Sequence, residues 1–286
     1  MRNVCETSLV SQRLAKTFGS NESSRVLRFV GLVALISLNS SCIFRSSTSA
    51  VVTGCDLPED QSSTISGRWR VVPVPIAVRA EDFEADEIQA LKEAADVWNN
   101  FYGRSLSLSV LNYGGSTVQT SNSNKPSSLC TTGLVQGSQF LGEVVIYKQG
   151  RWPYSNRSAI ALTSFCPIPA NPIPTIFMAI MELNYEDFFV AGKKQPDLKS
   201  IFIHELGHLL GLDHSCEVNS NRAGMPNCRA LTAAQSDYYD AVMFPVVRFN
   251  ASTGAGEVRQ TLNKNDMSRA NCLYGADGAG TPTRTN

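Results

Sequence analysis

Residues 204–214 read His-Glu-Leu-Gly-His-Leu-Leu-Gly-Leu-Asp-His. On an α-helix two positions four apart lie about 40° apart around the axis, so His204 and His208 can turn both imidazoles toward one metal ion. Gly211 stands where a helix can end in the left-handed conformation and turn the chain back, which brings His214 to the same ion as a third ligand. Three neutral imidazoles leave the fourth position of a tetrahedral zinc open, as a catalytic site requires. Glu205, next to the first ligand, is placed to act on water rather than on the metal. A lone histidine is by default a hydrogen-bonded core or surface residue. This chain, however, has only three histidines, and all of them fall within this one segment.

The chemistry such a centre performs is hydrolysis. Zinc brings the pKa of a bound water to about 7 and polarises a carbonyl, while Glu205 takes the water's proton and passes it to the leaving amine. Two histidines and a glutamate in H-E-x-x-H on a helix are the pattern of a metallopeptidase, so the expected activity is endopeptidase cleavage with one Zn2+. A calcium requirement stays open. Two rivals are a zinc-binding or adhesion protein without turnover, which has no need of Glu205, and a zinc hydrolase of non-peptide bonds.

The elements that must position these residues follow from periodicity and punctuation. Asp197 is a helix N-cap ahead of Leu198, Ile201, Phe202, Leu206 and Leu209, and the helix stops at Gly211. Upstream, Asp82 caps a second long helix marked by Ile88, Leu91, Ala95, Trp98 and Tyr102 and ending at Gly103. Strands are expected at 76–80, 106–110, 143–147, 159–165 and 176–183, with Pro167, Pro169, Pro172 and Pro174 making an irregular connection between the last two. The polar stretch 112–128 reads as a surface loop. A short helix is expected from Thr232, and a final one from Asn263 to Gly275, with Asp266 three positions on as in a capping box.

With these motifs in view, the sequence resembles the metzincin metallopeptidases, and among them the matrixins. Ser215 directly after the third histidine is typical of matrixins. Ala241-Val242-Met243-Phe244-Pro245 resembles the family's Met-turn, in which Met243 forms an apolar floor below the zinc. Leu262 to Gly275 is similar to the family's C-terminal helix. The resemblance implies an α+β / α/β domain over 67–275, with a twisted, mixed five-stranded sheet, two long helices and a smaller C-terminal subdomain holding the Met-turn and final helix. It also implies a peptide substrate laid extended along an edge strand. By order that strand is 159–165, with an interior strand as the alternative. The sequence departs from the family in several places. The span from His214 to Met243 is long and holds Cys216 and Cys228, and Val247 stands where an aromatic is common. No histidine remains for a second zinc, and neither Tyr238 nor Tyr239 matches the tyrosine ligand of the astacin relatives.

The outer segments bear on location. Arg25 and Arg28 precede an apolar run from Phe29 to Leu38, about half of what crosses a bilayer, in the layout of a signal peptide over 1–41. Leu38-Asn39-Ser40-Ser41-Cys42 resembles a bacterial lipobox, which implies an exported lipoprotein anchored through Cys42. Cleavage near Ala50 with free secretion is the other reading. Residues 42–66 are Ser/Thr-rich and read as a linker, and 276–286 as a flexible tail.

With Cys5 in the signal and Cys42 lipidated, six of the eight cysteines remain, an even set that fits disulfides in an oxidising compartment. Cys216 with Cys228 looks like a local pair, and six buried free thiols are the alternative. Cys55 faintly resembles the family's zinc-blocking cysteine, but a disulfide partner is the simpler reading. Twenty-five basic residues balance twenty-five acidic ones, so no global field points to nucleic acid or to an anionic membrane.

Overall fold

Runs of mostly apolar, mostly buried residues rather than a strict alternation build the strands 161–168 and 175–184 beside the site. In a computed structural model, the described residues are 10–12, 57–69, 71–72, 74–78, 82–102, 108–112, 143–170, 173–219, 222–274 and 283–284. The apolar run 29–38, Cys42, Cys55, most of the polar stretch 112–128 and most of the 276–286 tail fall outside them.

The main sheet consists of β1 (Arg68–Trp69), β2 (Val74–Val78), β3 (Leu108–Asn112), β4 (Glu143–Gln149), β5 (Ala161–Ile168) and β6 (Thr175–Asn184). Its hydrogen-bonded order is β1-β6-β4-β2-β3, all parallel, while β5 pairs antiparallel with the remaining side of β6. The expected five strands are therefore joined by a sixth. Two residues, Arg68 and Trp69, pair with Thr175 and Ile176 where β6 extends past β4.

Proline placement also differs from expectation. Instead of ending before Pro167, β5 runs through it to Ile168, with a register shift between Cys166 and Pro167. Among the described residues β5 has no neighbour on its other side. An edge strand tolerates a missing N–H and absorbs it as a bulge.

Two long helices pack together. Helix α1 (Ala85–Tyr102) starts three residues after Asp82, and the Glu87 carboxylate accepts from Glu84 N (2.8 Å). Its stripe of Leu91, Ala94, Ala95, Trp98 and Tyr102 is buried, and the Trp98 indole donates to Ile203 O at 2.9 Å. Helix α2 (Leu198–Leu210) is buried at every position from Ser200 onward, as expected of a helix enclosed on all sides. Helix α3 (Lys264–Tyr274) begins with the expected reciprocal cap. Asp266 N donates to Asn263 Oδ1, and Asn263 N to Asp266 Oδ2, both at 3.1 Å. Among the described residues, no helix is long and apolar enough to cross a membrane.

Residues 57–66, expected as the end of a free linker, are instead docked on the turn that follows α2. Ser66 N donates to Gly211 O (2.9 Å), Asp213 N donates to Thr64 O (2.8 Å), and Ile65 bridges Leu212. The fully buried Gln61 side chain donates to Ser215 O and accepts from Asn265 Nδ2. Backbone groups of a turn beyond a helix end have no helical partners, and this polar segment supplies them. Cys216 and Cys228 form the expected disulfide, with a Cα separation of 5.1 Å. Cys166 and Cys272 each take part in a disulfide too, with partners outside the described residues.

Candidate metal centre

Helix α2 presents His204, Glu205 and His208 from its last two turns. Asp197 starts it by accepting from Ser200 N at 2.9 Å. Gly211 ends it at φ 105°, donating to His208 O (2.8 Å), while Leu212 N donates to Gly207 O (3.0 Å). That reversal returns His214 to the helix. One ring nitrogen from each of His204, His208 and His214 lies within 4.8 Å of the others, and all three side chains are buried.

Backbone partners decide which nitrogens face inward. His204 Nδ1 lies 2.7 Å from Val242 O, and His208 Nδ1 lies 2.7 Å from Leu212 O. A carbonyl can only accept, so both rings carry their proton on Nδ1 and turn a bare Nε2 lone pair inward. Those two Nε2 atoms stand 3.0 Å apart, and the buried Nε2 of His214 has no partner. The two inward lone pairs of His204 and His208 repel one another unless a cation shares them, and with His214 as the third imidazole the set suits zinc. Burial pushes all three imidazoles down, His208 to about 4, and the neighbouring rings act in the same sense on His204 and His214. The cluster is therefore neutral and ligand-ready at pH 7.

Glu205 is fully buried beside this cluster. Its Oε2 accepts from the Thr163 hydroxyl at 2.7 Å, whereas its buried Oε1 has no partner among the described residues. Burial pushes the carboxyl up to about 8, against the opposite pull of the Thr163 hydroxyl. A dication among the neighbouring imidazoles would favour the ionised form.

The supports come from three distant parts of the chain. A Cβ built on Gly207 would lie 2.3 Å from Met243 Sδ, so Met243 sits directly on the helix backbone between the two α2 histidines. The Asp266 carboxylate accepts from Val242 N (2.8 Å) and Met243 N (3.1 Å), and Ser215 N donates to Met243 O (2.8 Å). Buried Arg269 donates to Asp213 O (2.7 Å) and His214 O (3.3 Å). The hydroxyls of Tyr238 and Tyr239 donate to Asp60 and to Cys228 O, away from the imidazoles.

All five residues singled out from the sequence thus meet in one place. Sequence reasoning missed Thr163 and Arg269, and it read Asp266 only as a helix cap. The i to i+3 spacing signals a cap; no local pattern signals a carboxylate reaching across to the turn at Met243, or a strand hydroxyl reaching the helix.

Residues 69–225 match the peptidase family described as Matrixin. Among the solved structures to which the chain is similar are two metalloproteases. High choriolytic enzyme 1, a hatching enzyme zinc-protease from Oryzias latipes (Medaka fish), is 12% identical over 74% of this chain and 95% of its own, with a TM-score of 0.32. Metalloproteinase-II from Bacteroides fragilis is 14% identical over 65% of this chain and 55% of its own, with a TM-score of 0.29. Neither likeness is close enough to carry weight. No curated protein matches the chain. The family match spans more than half of the chain and includes the whole histidine segment, and the chain belongs to the matrixin family of zinc metalloendopeptidases.

Proposed function

We propose that His204, His208 and His214 hold a single zinc, that Glu205 is the general base, and that Met243 is the apolar floor of a Met-turn. The observation that carries this reading is the convergence of one ring nitrogen from each of three buried histidines beside a buried carboxylate. When bound, zinc activates water and polarises the scissile carbonyl. Thr163 occupies Oε2 of Glu205 and leaves Oε1 to take the proton and return it to the leaving amine. Met243 and Asp266 hold the Val242 carbonyl that orients His204. A mixed peptide library should be cut internally by the zinc-loaded protein and left intact after chelation, with cleavage returning on zinc addition. Undiminished cleavage by metal-free protein would reject the zinc mechanism.

Substrate is proposed to lie extended along the open side of β5, adding a strand to the sheet. This is supported by the position of β5 at the edge and by Thr163, which places that strand within hydrogen-bond reach of Glu205.

Export is proposed as well, with lipid on Cys42, from the basic residues, the apolar run and the small residues ahead of that cysteine. Cys42→Ala should move the protein from the membrane fraction to the soluble one. A wild type found wholly soluble, with its N-terminus near Val51, would instead support free secretion.

A further inference from the structure

A small cavity opens beside His204, between the start of α2 and the chain that follows Met243. It is lined by Ile201, Val242, Phe244 and Val247 together with the ion pair Glu257–Arg259, and its volume is about 20 Å³. That is room for about one water molecule. The closing pair is firmly held. Arg259 Nη2 donates to Glu257 Oε1 at 2.5 Å, and Nη1 donates to Phe244 O at 3.3 Å. The guanidinium also lies 4.9 Å from the centre of the Phe244 ring. Their backbone is tied down too. Arg259 N donates to Ser200 Oγ (2.8 Å), Ser200 Oγ donates to Asp197 Oδ1 (2.5 Å), and Gln260 Nε2 donates to the same oxygen (2.8 Å). Glu257 Oε1 additionally accepts from Arg248 N at 3.1 Å.

We propose that the Arg259–Glu257 pair closes the cavity beside His204 and thereby limits the substrate side chain next to the scissile bond to a small one, such as alanine or serine. The inference rests on the peptidase reading. If the scissile carbonyl meets the metal at His204, the side chain one residue away is the group that reaches a cavity walled by His204. Ile201, Val242, Phe244 and Val247 make most of the wall apolar, so the cavity favours a methyl group over a charged one. Arg259 is already paired with Glu257 and stacked on Phe244, so it offers no free charge to an acidic side chain. A leucine would have to displace the guanidinium from three partners at once.

The test uses short peptide hydroxamates, whose hydroxamate binds zinc in place of the scissile amide, with alanine, leucine or aspartate as the adjoining side chain. Affinities are measured by calorimetry on zinc-loaded protein, so the result does not depend on turnover. The wild type should bind the alanine compound best. In Arg259→Ala the leucine-to-alanine affinity ratio should rise tenfold or more, the scale on which an apolar pocket discriminates methylenes. Glu257→Gln keeps the bulk and guards against misfolding of the first variant. It should shift the leucine ratio in the same direction by less and raise aspartate affinity by freeing the guanidinium. An unchanged leucine-to-alanine ratio in both variants, or a wild type that prefers leucine or aspartate, would overturn the size limit. Failure of every hydroxamate to bind zinc-loaded protein would instead sink the peptidase reading, and the size limit with it.

Discussion

Glu205→Ala should keep stoichiometric zinc while peptide hydrolysis falls by about two to four orders of magnitude, the range that a positioned acid–base group contributes. The substitution removes none of the three imidazoles. It removes the only carboxylate that α2 places beside them, together with the acceptor of the Thr163 hydroxyl. That hydroxyl sits on the edge strand, so loss of its partner leaves the histidine cluster and the Met243 turn untouched. Zinc content by metal analysis and hydrolysis of a fluorogenic peptide are the two measurements. Full zinc with unchanged hydrolysis rejects the role given to Glu205. Loss of zinc along with activity would mean that the carboxylate is needed to hold the site rather than to move a proton.

Gly211→Ala should be the most damaging single methyl in the described part of the chain. At φ 105° an L side chain is strained, and a Cβ there would lie 1.8 Å from Gly67 O. Neither party can move cheaply. Gly67 belongs to the docked 57–67 segment, held by Ser66 N on Gly211 O and by Asp213 N on Thr64 O, and Gly211 sets the turn that returns His214. Strain and clash together should cost at least about 3 kcal/mol, which lowers Tm by about 6–12 °C in a domain of this size. Zinc affinity should fall with it, because the third ligand sits three residues past the damaged turn. Gly150→Ala is the control, since a Cβ there meets nothing within 4 Å, and it should leave both melting and zinc binding unchanged. Equal behaviour of the two variants would show that the turn at Gly211 is not what positions His214.

The part of the site readable from sequence is the part made of local contacts. Asp197, the histidine spacing and Gly211 all act within one helix and its two ends. Cap, face and turn are each set by neighbours no more than four residues away, and the structure places each of them as the spacing implies. The Asn263–Asp266 cap is local in the same sense, and the Cys216–Cys228 pair closes a loop of only 12 positions. Strand boundaries slipped by a few residues because the ends of a strand depend on its neighbours. β5 passes through Pro167, whose other side faces no partner strand among the described residues.

Long-range packing settles which distant residues complete the candidate centre. Thr163 reaches Glu205 across 42 positions, Asp266 holds the turn at Met243, Arg269 holds the carbonyl of His214 across 55, and the 57–67 segment braces Gly211. The candidate metal ligands and candidate base were legible because their spacing repeats with the helix and needs no knowledge of the rest of the chain. The supports have no such period. A serine-rich stretch or a lone threonine looks the same in sequence whether it is solvated or docked, and the difference lies in long-range burial. Once the chain closes over them, the buried polar groups of the turn and the carboxylate must find partners, and only the fold settles which residues are near enough to supply them.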